Sequence, residues 1–349
     1  MNVGIIFGQM LVLLTMMAVG FFCYKKGWVS DETSGHLSKL VVNVFNPILV
    51  VNGVLGQNSV EAGSGVAWNI MFIVVYFALL MLISLVLPLV LRPEEKHKSI
   101  YRLMTIFSNV GFMGIPVIKS IFGDGTMIYV AFYILGYNIM LYTVGMFLAQ
   151  KTGDENRAHS VFYLEAMAAN GAGKRTVAEE QQAIRDTLSL EKKSGVAAFL
   201  KRLINPGVVA ALLAVAIFAF GIKMPDPVVT FCDYMGNTTI PLSMIMIGIS
   251  MAQANLKEVF ADVRIYAFIL LRMIALPIAV TFALKGIVAA YAIDPIVFGV
   301  FIIELGMPVG SIIVMMSREK GGDAAYCTRG VVLSTLASII TIPLICAFL

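Results

Sequence analysis

Two short stretches of this chain combine residues able to bind an ion with residues that interrupt a helix. In SNVGFMGIPVIKSIFG (108–123), Ser108, Asn109, Gly111, Gly114 and Pro116 crowd into nine residues. In ELGMPVGSIIVMMS (304–317), Glu304, Gly306, Pro308 and Gly310 repeat the plan. Proline removes a backbone donor and clashes with the preceding turn, so a helix bends or breaks there. Glycine lets a second backbone come close. An interrupted helix presents an amide end and a carbonyl end, and the amide end attracts anions. Asn109 adds side-chain donors and an acceptor. If the two interruptions cross, they form a small polar centre; two kinked helices in close packing are the alternative.

Ionisable groups sharpen the picture. Glu304 stands four residues before Pro308, inside an apolar run. A charge at that depth in a bilayer costs roughly 3 kcal/mol, which makes it a functional candidate by default. Arg272 is its candidate partner from the preceding apolar run. Two roles fit Glu304. It takes up a proton or a sodium ion, or repels anions until neutralised; or it forms a fixed ion pair with Arg272.

A second pair of prolines extends the pattern. Pro47 lies in VVNVFNPILVVNGV (41–54) and Pro241 in GNTTIPLSMIMIGISMA (236–252). Pro47 and Pro116 are 69 residues apart, Pro241 and Pro308 are 67. Helix breaks at matching places in two halves point to a transporter binding site. Asn46 directly precedes Pro47 and shares a helix face with Asn43. Asn138 and Tyr142, four apart, form another polar strip, while Asp233 reads as an interfacial residue.

The elements that must hold these residues are membrane helices. The chain is 59% hydrophobic and 13% charged, with mean hydropathy +0.89, against about 25% charged in soluble domains. A crossing needs roughly 20 apolar residues. Ten runs qualify, near 3–23, 33–56, 66–91, 98–122, 126–149, 205–222, 227–253, 262–285, 295–316 and 325–348. The predicted fold is all-α: a first five-helix repeat (1–150), a cytoplasmic connection (151–204) and a second repeat (205–349). Five helices in each half make the halves inverted, with broken helices 4 and 9 crossing. The connection is either a tether or a regulatory module. Connections after the odd-numbered helices, with the helix ends beside them, hold 21 of the 25 Lys and Arg, which places both termini outside.

Several function classes are excluded or disfavoured. The +4 charge is a topology signal, with no basic patch interleaved with aromatics that would suggest nucleic acid. Four cysteines without paired spacing argue against a metal or disulfide framework. No G-x4-G-K-S/T loop is present, so ATP drive would need another subunit. An aspartyl protease built on Asp124 and Asp323 is disfavoured because the predicted topology puts them at opposite membrane faces. No cofactor is expected beyond a coupling proton or sodium ion.

SNVGFMGIPVIKSIFG resembles the fourth-helix crossover of the auxin efflux carrier family. SGHLSKLVVNVFNPILVVN (34–52) is similar to its second helix and IPLSMIMIGISMA (240–252) to its seventh. LKRLINPGVVAALLAVAIFAFGIKMP (200–225) is similar to the family's entry into the second half. The resemblance covers the chain except 151–199. It implies a ten-helix inverted repeat like that of bile-acid symporters and sodium/proton antiporters. Helices 1, 2, 6 and 7 would form a scaffold that dimerises, and helices 3–5 and 8–10 a transport domain moving as an elevator. Asn109 would meet a substrate carboxylate and Tyr142 would line the pocket. With Asn46, Pro47, Gly114, Pro116, Gly306 and Pro308, these are the candidate substrate site; Glu304, Arg272 and Ser108 are the candidate coupling group.

Two departures separate this chain from the plant carriers. Val50 replaces a small hydroxyl residue, and 66–91 lacks their acidic residue and lysine. Neither auxin as substrate nor the plant carriers' coupling-independent mechanism follows from the resemblance. The short connection is closer to bacterial members labelled malonate or malate permeases. The expected activity is secondary transport of a small mono- or dicarboxylate across a bacterial cytoplasmic membrane. The alternatives are a sodium-coupled bile-acid-type symporter, with Glu304, Ser108 and Asn109 as cation ligands, and a non-transporting sensor or scaffold.

Overall fold

The computed structural model describes residues 3–55, 63–169 and 206–349. These residues are helical throughout, joined by turns and short linkers, with one isolated β-bridge. Among the described residues, seven helices are long and apolar enough to cross a bilayer: Ile6–Lys25, Asp31–Asn52, Gly65–Leu91, Met127–Ser160, Asp226–Gln253, Val263–Ala290 and Ala324–Cys346. Three apolar helices are shorter: Val110–Phe122, Pro206–Ala219 and Pro295–Gly306. The connection predicted over 151–204 lies largely outside the described residues.

Helices α1 (Val3–Lys25), α2 (Asp31–Leu40), α3 (Asn46–Asn52) and α4 (Gly63–Leu91) open the chain. Next come α5 (Lys98–Ile106), α6 (Ile115–Phe122), α7 (Met127–Met140) and α8 (Met146–Ala169). The later part holds α9 (Pro206–Ala219), α10 (Asp226–Gln253), α11 (Leu256–Ala261), α12 (Val263–Ile269) and α13 (Leu276–Ala290). It closes with α14 (Pro295–Gly306), α15 (Ile312–Glu319) and α16 (Ala324–Cys346). Starts are set by local chemistry. Ser30 caps α2, Asp262 caps α12, Asp294 caps α14 and Asp323 caps α16, each accepting from an orphan amide of the first turn.

The prolines act less uniformly than predicted. Three of four wide π-helical turns directly precede a proline: Val41–Phe45 before Pro47, Val110–Gly114 before Pro116 and Leu270–Ala275 before Pro277. Widening the turn re-pairs the carbonyl that proline leaves without a donor, so α2 runs on into α3 and α12 into α13. The fourth, Leu141–Gly145, contains Thr143, whose hydroxyl bonds back to Ile139 O at 2.7 Å. Pro241 sits inside an unbroken α10. The true interruptions are at Phe107–Asn109, ahead of Pro116, and at Met307–Gly310, on Pro308 itself.

Packing follows membrane rules, where close backbone contact matters more than apolar burial. A Cβ on Gly20 of α1 would collide with the Ile245 carbonyl of α10, and one on Gly248 with the Met17 carbonyl. On α4, Phe72 stacks on Phe301 of α14 with centroids 4.8 Å apart and planes at 12°. The opposite face of α4 exposes Val74, Leu82, Leu85 and Leu89, side chains apolar enough to face lipid. Helix α8 continues twenty residues past the predicted end at 149. Its polar turns need no apolar partner: Arg157 pairs with Asp154 at 2.7 Å, and Glu155 accepts from Ser99 N and Oγ.

One end of the bundle is tied by a polar cluster. His97 Nε2 lies 3.1 Å from Asp323 Oδ2, and the His97 ring stacks on Tyr326 at 3.7 Å. The Tyr326 hydroxyl donates to Asp262 Oδ2 at 2.8 Å. Asp323 also accepts from Tyr326 N. The His97 hydrogen bond, then the backbone amide, hold the Asp323 carboxyl below the usual carboxylate range.

Candidate functional site

The two interruptions cross and bond to each other. Phe107 and Asn109 leave helical geometry at φ −102°, ψ 88° and φ −85°, ψ 57°. Their stretch pairs antiparallel with 308–310: Asn109 N donates to Pro308 O at 2.7 Å and Gly310 N to Phe107 O at 2.9 Å. Val309 N donates to Ser334 Oγ at 3.1 Å. Gly310 is required by this contact, because a Cβ there would lie 2.9 Å from Ser108 O and 3.2 Å from Phe107 O.

Four half-helix ends meet at the crossing, and they sort by polarity. The carbonyl ends belong to α5 and α14. Their free oxygens turn to Arg272, which reaches across from the wide turn 270–275. Arg272 Nε donates to Thr105 O at 3.3 Å, and Nη1 to Met307 O at 3.4 Å and to Leu305 O. Its Nη2 donates to Ser108 Oγ, which also bonds Tyr76 Oη at 2.9 Å. Arg272 is 1% exposed.

The amide ends open on a cavity of about 70 Å³. Val110, Gly111 and Phe112 line it from one break, Ser311 and Ile312 from the other. Asn46, Asn109, Tyr137 and Tyr142 share the wall, with Pro206 and Gly207 of α9. Asn109 is 4% exposed, and its Nδ2 has no hydrogen-bond partner. Asn46 Oδ1 is likewise buried and unpartnered. Asn43 and Asn138 instead bond Lys39 O and Ile134 O of their own helices.

Glu304 is fully buried, and neither carboxylate oxygen has a partner. It packs against the crossing: a Cβ on Gly114 would stand 2.7 Å from its Oε1. Of the two roles open to Glu304, the fixed ion pair with Arg272 is not made, since the guanidinium is taken up by neutral oxygens. Among the predicted site residues, Asn46, Ser108, Asn109 and Tyr142 line the cavity. Pro308 enters the crossing through its carbonyl. Pro47 and Pro116 sit in the first turns of α3 and α6, outside the lining. Gly306 faces Ile345 and Pro277, a packing role.

Sequence reasoning passed over Tyr137, Tyr76 and Ser334. Tyr137 adjoins the Asn138–Tyr142 strip, which was the available signal. Tyr76 is one hydroxyl in an uncharged helix and carried none. A second cavity of about 170 Å³ lies farther along α3 and α7, lined by Asn52, Lys119, Asp233 and Asn237, with Ile134 common to both cavities. There Asn52 Nδ2 donates to Asp233 Oδ1 at 3.0 Å.

Bilayer-length helices around a buried polar crossing make this a multi-pass membrane protein. Residues 5–346 match the membrane transport protein family, that of the auxin efflux carriers, and the chain belongs to it. An uncharacterized transporter of Methanothermobacter thermautotrophicus is 22% identical over 339 residues, covering 96% of this chain and 95% of that protein.

Proposed function

We propose that this chain is a secondary transporter for a small organic anion, a mono- or dicarboxylate, bound at the crossing. The observation that carries the reading is the sorting of the four helix ends. Both amide ends and the free Asn109 amide meet one cavity, while the carbonyl ends face Arg272. Such a cavity favours a carboxylate. Asn109 donates to the substrate, and Asn46 and Tyr142 complete its contacts.

Movement follows an elevator scheme in a ten-helix inverted repeat. Helices α1, α2–α3, α9 and α10 serve as scaffold and dimer contact, and the elements carrying the crossing shift against them. Two cavities separated near Ile134 support alternating access. Glu304 is the coupling group. Unpartnered beside the crossing, its negative charge opposes an incoming anion, and a proton on it removes that opposition.

The test is flux into proteoliposomes with labelled malonate, malate, indole-acetate and amino acids, under imposed proton, sodium or voltage gradients. Carboxylate uptake driven by a proton gradient is expected. Absence of flux for every substrate would leave a non-transporting sensor as the better reading.

A further inference from the structure

Arg272 is a buried cation without an anion beside it. Buried charges are ordinarily paired, because the desolvation cost is several kcal/mol per ion. Here all its hydrogen-bond acceptors are neutral: the Thr105, Leu305 and Met307 carbonyls and the Ser108 hydroxyl. Three of them are the orphan carbonyls that α5 and α14 leave where they break off. Each helix carboxyl end carries about half a negative charge. Two such ends converging on one guanidinium offset about one positive charge.

An oxygen cage made of unwound carbonyls at a helix crossing is the setting in which membrane carriers hold a dissociable alkali cation. We propose that the Arg272 guanidinium is a tethered cation filling such a cage, and that removing the side chain exposes a site for a free monovalent cation. The ligands of that site are Thr105 O, Leu305 O, Met307 O and Ser108 Oγ, the last oriented by Tyr76. This inference rests on the crossing being the transport site, and it fixes one property of it. The wild-type carrier has no vacancy for sodium, because its cation is covalently part of the chain and supplied from α12–α13, 33 residues before Leu305 and 167 after Thr105.

A plain structural staple would predict something different. Cutting it out would weaken the fold, and no particular ion would restore it. A vacated cation site is refilled by size and charge.

The experiment measures thermal unfolding of purified protein in detergent at constant ionic strength, with sodium, potassium, guanidinium or choline chloride. Guanidinium is kept far below denaturing concentrations. Wild-type protein and Arg272→Lys, which keep a tethered charge, are expected to melt at the same temperature in sodium as in choline. Arg272→Ala is expected to melt lower in choline and to recover several degrees, saturably, with sodium or guanidinium. A saturable sodium response in the wild type overturns the proposal. So does an Arg272→Ala protein that recovers with none of the cations, or that fails to fold with them present. The readout does not use flux, so a chain that carried no carboxylate would still show the ion-specific recovery.

Discussion

Replacing Gly310 by alanine tests the crossing at its tightest point. The added methyl carbon would sit 2.9 Å from Ser108 O, 3.1 Å from Tyr137 Oη and 3.2 Å from Phe107 O. Ordinary carbon contacts begin near 3.5 Å, so the two breaks must part by a few tenths of an ångström. Tyr137 can swing aside, but the two carbonyls belong to backbone. They are held by the bonds the crossing is made of, Gly310 N to Phe107 O and Asn109 N to Pro308 O. Overpacking of this kind costs about 1–3 kcal/mol. The Gly310→Ala protein should melt several degrees below wild type in detergent. Its flux should fall further than its stability, because Asn109 is displaced with the strand. Gly286→Ala is the control: exposed on α13, its Cβ would meet nothing within 4 Å. It should keep wild-type flux and melt at or slightly above wild type, because alanine is the better helix former and meets no obstacle there. Wild-type melting and wild-type flux in Gly310→Ala would refute the close approach.

Asn109→Ala removes a donor that bonds nothing in the empty protein, so stability should hold. Loss of one hydrogen bond to a carboxylate, about 1.5–3 kcal/mol, should raise the half-saturation concentration roughly 10- to 150-fold; unchanged saturation would reject the contact. Glu304→Gln keeps shape and removes charge, so it should fold normally and flatten the pH dependence of flux. An unaltered pH profile would remove Glu304 from coupling. For Asp323, whose carboxyl is held below its ordinary value by His97, the ionised form stabilises the folded state. That contribution is complete above the unfolded value of about 3.9 and is lost as pH falls through the lower folded value. Acid melting curves should therefore be shallower for Asp323→Asn than for wild type, and identical slopes would dismiss the linkage.

Much of the crossing was readable from residue types. Asn109, Gly310 and Pro308 sit where helix-breaking and polar residues crowd together, and that local signal survives without any tertiary information. What failed was placement. Pro116 marked the right helix but the wrong residue, because a wide turn absorbs the proline and the chain actually parts at Phe107–Asn109. The hydrogen bonds that allow it to part come from 308–310, some two hundred residues away, which no local reading contains. Pro241 failed for the same reason in reverse: the surrounding helix tolerates it. Arg272 was matched to Glu304 on charge alone. Its real partners are backbone carbonyls, which are present at every residue and therefore mark no position. Helix α8 overran its predicted end because apolar periodicity ends where the helix leaves lipid, while hydrogen bonding does not.

The two buried charges that do not touch have an electrical consequence. Both lie on the elements proposed to move, Arg272 in the turn 270–275 and Glu304 on α14. The half-helix dipoles come in opposed pairs and cancel, so the net charge carried is that of these side chains and the cargo. If Glu304 gives up its proton before the empty stroke, the moving part sums to zero. Loaded with a monocarboxylate and one proton, it sums to zero again. Each stroke then escapes the cost of roughly 2.3 kcal/mol per charge per 100 mV, and the cycle should be indifferent to membrane voltage. A fully ionised dicarboxylate with one proton leaves one negative charge on the loaded stroke, so the rate on that substrate should follow the membrane potential.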